Sequence, residues 1–358
     1  MNTLRTTFPW TKAPFLIAAP MRVMSGPHLA LAVSRAGGLG FIGPGLKPSD
    51  TATDLATARD LLKTPLSPSP NNPQASKYFS PESQSLPIGV GFQLWNGDLS
   101  SAAAAVAQYK PVVAWLFAPR NGQTDLDEWT QRIRAVAPET QIWIQIGTVQ
   151  ESIAIAQSAH KPDVIVVQGE EAGGHGRAND GIGLVTLVPE IADQVRGLGM
   201  GIVAAGGIAD GRGVAAALAL GADGVAMGTR FLASTEARIS GGYQGEVVRA
   251  RDGAKSTRRT MLYNQLRGTV GWPEGYSPRG VVNRSWYDHE EGVEFGELKR
   301  RHDEALEKGD EGWGPEGRLA TYAGAGVGLI HGVEDAGVLV ERVRGEASEI
   351  LKRLGGGS

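Results

Sequence analysis

Residues 201–230 read GIVAAGGIADGRGVAAALALGADGVAMGTR, two short apolar runs separated by a segment with helical spacing. Glycine follows the apolar part of each run, in the first at residues 206–207 and in the second at residue 228. Nearly continuous apolar character is typical of strands that are buried on both faces of a parallel sheet. The stretch therefore predicts a strand, a helix and a second strand parallel to the first.

The same unit recurs along the chain, where short apolar runs alternate with helix-like segments. Eight such runs lie at residues 15–20, 38–43, 87–94, 112–118, 141–147, 163–169, 201–207 and 224–230. Eight strands alternating with helices predict an α/β fold of the (β/α)8 TIM barrel type, and a doubly wound open sheet is the alternative. The G-x-G-x-x-G match at residues 38–43 is not a dinucleotide site, because it falls within a predicted strand and does not open a helix.

Two segments exceed a minimal barrel. Residues 46–86 begin with a possible helix and become rich in Pro, Ser and Asn, which predicts a long insertion after strand 2. Residues 239–320 mix helical patches with charged stretches and predict a mainly helical C-terminal extension or subdomain. We accordingly assign the barrel to residues 1–238, a loop and helix that return to it to residues 321–354, and a flexible tail to residues 355–358.

The composition favours a globular protein that acts on small molecules. The 358-residue chain is 41% apolar, and its net charge is −3, with no basic patch that would suit nucleic acid or a membrane surface. The absence of cysteine excludes disulfides and a thiolate nucleophile, and the histidine spacing predicts no metal site. The chain begins without a secretory signal pattern, so we expect a cytoplasmic or other intracellular location.

The residues that close each apolar run are the candidate ligand contacts, because active sites of such barrels lie at the carboxyl ends of the strands. Three glutamines at separate strand ends offer amide donors and carbonyl acceptors that match a polar heterocycle. Glycines after the last two strands let a phosphate approach backbone N–H groups. The candidates are Ala19, Pro20, Met21, Gln93, Gln145, Gln168, Gly206, Gly207, Gly228 and Thr229.

A single histidine stands among glycines in QGEEAGGHG, residues 168–176, directly after the sixth predicted strand. Glycine lets the backbone approach a ligand, and histidine has its ordinary pKa near neutrality. A turn that merely contains a polar residue is the alternative for this loop taken by itself. Because the loop lies at the same barrel end as the glycine-rich loops, we predict that His175 is catalytic. We expect its neighbours Glu170 and Glu171 to be solvated.

Several segments resemble the flavoprotein family of nitronate monooxygenases, formerly called 2-nitropropane dioxygenases. In chain order they read IAAPM, GGLGFIG, VGFQLW, VVQGEEAGGHG, VAAGGIADGRGVAAALALGADGVAMGTRF and YAGAGVGLI. The resemblance implies a TIM barrel that binds FMN without a covalent link. It also implies O2-dependent oxidation of alkyl nitronates such as propionate 3-nitronate, and of nitroalkanes, to carbonyl products and nitrite or nitrate.

The resemblance also implies a role for each matching position. The backbone of residues 19–21 is expected to line the isoalloxazine ring, Gln93 and Gln145 to bond the ring or the ribityl chain, and His175 to be the catalytic histidine. Gly173 and Gly174 are expected beside the cofactor, while the phosphate is expected at Gly206, Gly207, Gly228 and Thr229.

Two other functions remain open beside this one. The first is an NAD(P)H-dependent flavin reductase of the enoyl-thioester or quinone type, and the second is a flavin-binding barrel without catalysis. The role of His175 is open as well. It either removes a proton from a neutral nitroalkane as a general base or orients an anionic nitronate by a hydrogen bond or by charge.

Overall fold

Eight parallel strands close into a barrel in this computed structural model, which describes residues 7–64 and 75–355. The last barrel strand, Gly224–Met227, pairs with the first, Leu16–Ala18, to complete the ring, with Ala226 opposite Ile17. The predicted (β/α)8 barrel is confirmed, and the closed ring excludes the doubly wound sheet. The barrel strands are β1 (Leu16–Ala18), β2 (Leu39–Ile42), β3 (Leu86–Gln93), β4 (Pro111–Phe117), β5 (Gln141–Ile146), β6 (Val164–Gln168), β8 (Gly201–Ala205) and β9 (Gly224–Met227), while β7 (Gly174–Arg177) lies outside the ring.

Helices connect the strands, and several of them begin at side chains that cap free backbone N–H groups. The Asp98 carboxylate accepts a hydrogen bond from the backbone N–H of Ser101, and Thr148 forms a capping box with Glu151. The helices in this part of the chain are α1 (Pro27–Arg35), α2 (Pro48–Leu61), α3 (Ala75–Tyr78), α4 (Leu99–Tyr109), α5 (Gln123–Val136), α6 (Val149–Gln157), α7 (Leu184–Val195) and α8 (Gly211–Ala219).

An aromatic cluster fills the interior of the barrel. Phe41 on β2, Trp115 on β4 and Trp143 on β5 are buried, and their ring centroids lie 5.1 to 5.9 Å apart. Gly89 on β3 makes room for them, because a Cβ at this position would overlap the Phe41 ring. Since aromatic side chains bury the largest apolar areas, this cluster makes the barrel interior a packed core.

The chain after β9 forms a mainly helical extension, as predicted, but it also contributes strands. β10 (Thr257–Arg259), β11 (Tyr276–Val281) and β12 (Thr321–Tyr322) form an antiparallel sheet with β7, in which β11 pairs with the other three. These strands were not expected from the sequence. The helices are α9 (Thr229–Leu232), α10 (Gly241–Arg249), α11 (Gly253–Ser256), α12 (Leu262–Leu266), α13 (Arg284–Glu290), α14 (Phe295–Glu307) and α15 (Ala336–Gly355).

The insertion and the C-terminal helix both pack on the outside of the barrel. In the insertion, α2 packs against α1 and α4. Its Pro-rich residues 65–74 lie outside the described residues, as do tail residues 356–358. At the other end of the chain, α15 packs against α1 and α8. Across the two described ranges, no helix has both the length and the apolar character that a membrane span requires.

Close packing of α1 on β2 generates a prediction about stability. A Cβ on Gly40 would overlap the backbone of Ala30, so Gly40→Ala forces the helix and the strand apart. We expect this substitution to lower the free energy of unfolding by about 1–3 kcal/mol or more, measured by urea denaturation.

The matched control for this prediction is Gly245→Ala on the exposed face of α10, where no atom lies near the added methyl group. This change is expected to be neutral or to stabilise the protein by about 0.5–1 kcal/mol, because alanine favours helix over glycine. Equal stabilities of the two variants would show that β2 and α1 are not packed as described.

Candidate active site

A cavity of about 1450 Å³, including its opening to solvent, lies at the carboxyl ends of the barrel strands. The structure brings every predicted site residue to its wall, namely Ala19, Pro20, Met21, Gln93, Gln145, Gln168, Gly173, Gly174, His175, Gly206, Gly207, Gly228 and Thr229.

The three glutamines in the wall have different partners. Gln145 Oε1 accepts a hydrogen bond of 2.9 Å from Trp115 Nε1, which orients the amide of Gln145. Gln168 Nε2 donates to the His175 carbonyl oxygen at 3.1 Å, so Gln168 holds the histidine loop. Gln93 Oε1 is buried without a hydrogen-bond partner among the described residues. A buried acceptor in this state calls for a donor from a ligand.

Glycines after β8 have backbone angles that other residues rarely adopt. Gly206 has φ of 126° and Gly207 has φ of 67°. A side chain at either residue would therefore be strained. Gly326 lies directly against the Gly207 backbone, where a Cβ would not fit. Nearby, Thr229 Oγ1 accepts a hydrogen bond of 2.9 Å from the Gly324 N–H. The loop after β12 thus returns to the glycine-rich edge of the cavity.

His175 lies in β7 and contacts three side chains from the extension and the returning segment. Its ring stacks on Trp272, with a centroid distance of 3.5 Å and an interplanar angle of 5°. Its Nε2 atom lies 2.8 Å from Asn264 Nδ2, and Asn264 Oδ1 accepts a hydrogen bond of 2.8 Å from the Tyr322 hydroxyl. Because the Asn264 oxygen faces Tyr322, its NH2 group donates to Nε2, and the neutral ring carries its proton on Nδ1.

The surroundings keep the His175 ring neutral. Burial is the main cause that lowers the pKa of His175, the positive charges of Arg259, Arg22 and Arg267 contribute, and together they bring it to about 3. Since the pKa lies far below neutrality, the ring is uncharged at physiological pH.

Arg259 in β10 anchors the loop that carries His175. Its guanidinium donates to the backbone carbonyls of Gly174, Glu170 and Ala172 at distances of 3.3, 3.0 and 3.1 Å. Glu170 is about half exposed and lies 3.4 Å from the Arg279 guanidinium, which agrees with a solvated side chain.

Glu171 is a loop residue, as expected, but its side chain is only partly exposed. Its carboxylate accepts hydrogen bonds of 3.1 and 3.3 Å from the Leu184 N–H, the first residue of α7. The carboxylate is favourable at the amino end of α7 because it accepts a hydrogen bond from a free backbone N–H group. Its negative charge also interacts favourably with the positive end of the helix dipole.

Sequence reasoning missed five residues of the site: Arg22, Asn264, Arg267, Trp272 and Tyr322. Arg22 directly follows the predicted Ala19–Met21 segment, and Tyr322 begins the YAGAGVGLI segment, so both had a local signal. Asn264, Arg267 and Trp272 lie within residues 239–320, where helical and charged patches gave no indication of chemistry.

The fold and the cavity together define a class of protein. A (β/α)8 barrel with a glycine-rich, amide-bearing cavity at the carboxyl ends of its strands has the architecture of the barrel enzymes. Residues 6–260 match the family model described as nitronate monooxygenase. The chain therefore belongs to the nitronate monooxygenase family, and it is an oxidoreductase.

Relatives with this name match the chain along almost its whole length. The nitronate monooxygenase npaC of Metarhizium robertsii is 59% identical over 350 residues, which cover 98% of this chain and 95% of the relative. A nitronate monooxygenase of Neurospora crassa is 34% identical over 383 residues, which cover 99% and 94%. The solved structure of FabK from Thermotoga maritima has the same fold, with a TM-score of 0.73 at 24% identity over 99% and 98% of the two chains.

The hydrogen-bond network around His175 generates a prediction that NMR can test. In protein labelled with ¹⁵N at histidine, the His175 signals are expected to show the neutral, Nδ1-protonated ring throughout the range from pH 8 to pH 5. Asn264→Asp is expected to reverse the tautomer and to raise the pKa of His175. The reason is that a carboxylate only accepts hydrogen bonds and favours the charged ring.

Asn121→Asp is the control, because it introduces the same charge at an exposed position outside the cavity. It should leave the His175 signals unchanged. Titration of wild-type His175 between pH 5 and pH 8 would contradict the description of the site, and so would an unchanged tautomer in Asn264→Asp.

Proposed function

We propose that this chain uses noncovalently bound FMN and O2 to oxidise alkyl nitronates, with nitroalkanes as further substrates, to carbonyl products and nitrite or nitrate. The observation that carries the proposal is the neutral His175 ring, hydrogen-bonded by Asn264 at the wall of the cavity at the carboxyl ends of the barrel strands. Membership in the nitronate monooxygenase family supports the same reaction.

The residues of the cavity fit FMN. The buried Gln93 Oε1 lacks a donor and suits a ring N–H of the isoalloxazine. Gly206 and Gly207 present backbone without side chains, as close approach of a phosphate requires. Ala19, Pro20 and Met21 supply the wall beside the ring, and Gly228 and Thr229 lie at the neighbouring strand end. When bound, FMN supplies the redox chemistry, taking electrons from the substrate and passing them to O2.

His175 acts on a nitronate as a hydrogen-bond donor. A nitronate is already deprotonated, so its oxidation needs no base. With Nε2 occupied by Asn264, the Nδ1–H group is the donor that remains on the ring to bind a nitronate oxygen. The stack on Trp272 limits rotation of the ring and holds this donor in one orientation. The protein thereby binds and orients the anion without changing its protonation state.

A neutral nitroalkane differs from a nitronate because its α-proton must be removed. Removal of its α-proton requires a free lone pair, and the only lone pair of the neutral ring accepts a hydrogen bond from Asn264. His175 becomes a general base for this substrate only when Asn264 releases Nε2. Nitroalkanes are therefore the slower substrates in this proposal.

An absorption spectrum and an anaerobic stopped-flow experiment test the proposal. The purified protein is expected to contain or take up FMN and to show rapid bleaching of the flavin when it is mixed with propionate 3-nitronate, followed by O2 consumption in air. NADH is expected to bleach it slowly or not at all. Rapid bleaching by NADH alone would identify a flavin reductase instead. Protein that takes up no FMN would overturn the assignment of the cofactor.

His175→Asn separates the two substrate classes. The variant is expected to abolish turnover of nitroethane, since a general base contributes about 10²–10⁴-fold, and to retain part of the turnover of ethyl nitronate. His289→Asn is the matched control, because His289 is exposed on α13 outside the cavity. Equal loss of both activities in His175→Asn would remove the general-base role, and unchanged activities would remove His175 from the catalytic site.

A further inference from the structure

The segment between α12 and β11, residues 268–275, forms the part of the cavity wall that lies beside His175. Thr269 and Trp272 belong to this wall, and the Trp272 ring stacks on the His175 ring. Both flanking elements also hold the histidine, because Asn264 in α12 contacts its Nε2 atom and β11 pairs with β7. The segment therefore runs between two elements that are fixed to the active site.

Backbone hydrogen bonds hold this segment only near its two ends. At the first end, the Thr269 N–H donates to the Asn264 carbonyl oxygen at 2.8 Å. At the other end, the Gly275 carbonyl oxygen accepts from the Ala178 N–H at 2.9 Å. In between, residues 270–272 form no backbone–backbone hydrogen bond with another described residue. A stretch of this kind opens locally at a small cost in free energy.

Two glycines allow the segment to change conformation. Gly268 has φ of 67° and Gly271 has φ of 93°, and glycine also reaches the other regions of φ and ψ without strain. No atom lies within 4 Å of the place where a Cβ on Gly268 would be, so packing does not hold this residue in one conformation. Val270 between them is 72% exposed. A few residues that absorb a change of backbone angles at the end of a segment are the usual hinges of enzyme lids.

Trp272 is the only residue of 268–275 that is buried, with 8% of its surface exposed. Its ring centroid lies 3.5 Å from that of His175 and 5.0 Å from that of Trp95, and these aromatic contacts stabilise the position seen here. Its Nε1–H group, however, is buried without an acceptor among the described residues, which destabilises the same position. The conformation of the segment thus depends on one side chain with opposing contributions.

We propose that residues 268–275 are a lid on the His175 side of the cavity, and that Trp272 is a positioning residue, which fixes the His175 ring only while the lid is closed. When the lid opens, the indole leaves the imidazole and ligands pass through this side of the cavity. When it closes, the indole covers one face of the imidazole and restores a single orientation of the Nδ1–H donor. The use of that donor in turnover rests on the proposed function, whereas the motion of the lid does not.

Thermolysin measures the opening of the lid without any turnover. This protease cuts before apolar residues, and a cut before Val270 requires Trp272 to leave its site. In Trp272→Ala, cleavage of the Thr269–Val270 bond is expected to be at least about 10-fold faster than in the wild type, because cleavage follows the population of the open segment. Cleavage before Leu198, exposed in the turn after α7, is the internal control and should be unchanged. Equal cleavage before Val270 in both proteins would overturn the proposal.

A hinge variant tests the lid while the indole stays in place. Gly268→Ala strains the closed lid through the φ of 67° without steric overlap, so cleavage before Val270 is expected to rise about 3- to 10-fold. Gly197→Ala is the matched control, because Gly197 follows α7 with φ of 79° and equally open space. It should leave cleavage before Val270 unchanged. An increase in both variants, or in neither, would contradict a hinge at Gly268 and overturn the lid.

Fluorine NMR detects the motion of the indole itself. In protein labelled with 5-fluorotryptophan, the Trp272 signal is identified by its absence in Trp272→Phe. It is expected to show exchange broadening on the microsecond-to-millisecond timescale of lid motions. Trp115 and Trp143, which are fully buried in the barrel, should give sharp reference signals. Relaxation of the Trp272 signal identical to that of Trp115 would show a rigid segment and overturn the proposal.

Steady-state kinetics test whether the closed lid orients His175. Trp272→Ala is expected to lower kcat for ethyl nitronate about 10- to 100-fold, with a smaller change in KM, because a misoriented group loses the advantage of fixed geometry. Trp272→Phe keeps an aromatic ring for the stack and should restore most of kcat. Val270→Ala is the control within the lid, since Val270 is exposed and outside the wall, and it should leave kcat unchanged. A loss confined to KM, or an equal loss in Trp272→Phe, would overturn the positioning role.

Failure of the lid and failure of the proposed function give different results. A protein whose Trp272 signal shows exchange but which oxidises no nitronate refutes the proposed function and leaves the lid in place. A protein that oxidises ethyl nitronate while its Trp272 signal shows no exchange refutes the lid alone.

Discussion

The antiparallel pairing of β7 with β11 is the interaction on which the active site depends. It sets His175 opposite Pro278 and Gly174 opposite Arg279, and so turns a glycine-rich loop into a strand. Such a loop has no conformational preference of its own strong enough to fix a side chain. When this loop pairs as a strand, its side chains alternate in direction, and the His175 ring stacks on Trp272. The extension thereby determines the orientation of a residue that the barrel supplies.

The barrel and the wall of its cavity could be predicted from the sequence because both depend on local signals. Strands covered on both faces must be apolar at nearly every position, as VIVVQ in β6 is, and this pattern is visible without knowing any partner. The residues at the strand ends then follow from the fold class, since the carboxyl ends of a closed parallel barrel meet at one rim. Gln93, Gln145 and Gln168 are brought together for this reason.

The extension could not be predicted in the same way, because its strands depend on partners far away in the chain. β11 reads YSPRGV and includes proline and glycine, which oppose strand formation, and β7 reads GHGR. β7 pairs with β11 alone, about a hundred residues along the chain, and β11 is held by β7, β10 and β12 together. Asn264 and Trp272 come from the same region and carry no local pattern. Their importance is created by the tertiary contact with His175.

Proton acceptance and positive charge, which a histidine usually combines, are separated by the contacts around His175. A histidine near neutrality usually combines two abilities, since it accepts a proton and also carries positive charge. Here burial removes the charge, and the donor group of Asn264 occupies the lone pair. The positive potential comes instead from arginines, whose guanidinium groups stay protonated. A ring that keeps its proton on Nδ1 and does not titrate between pH 5 and 8 is well suited to binding an anion. In the proposed reaction such a ring is poorly suited to deprotonating a neutral substrate, because its lone pair accepts a hydrogen bond from Asn264.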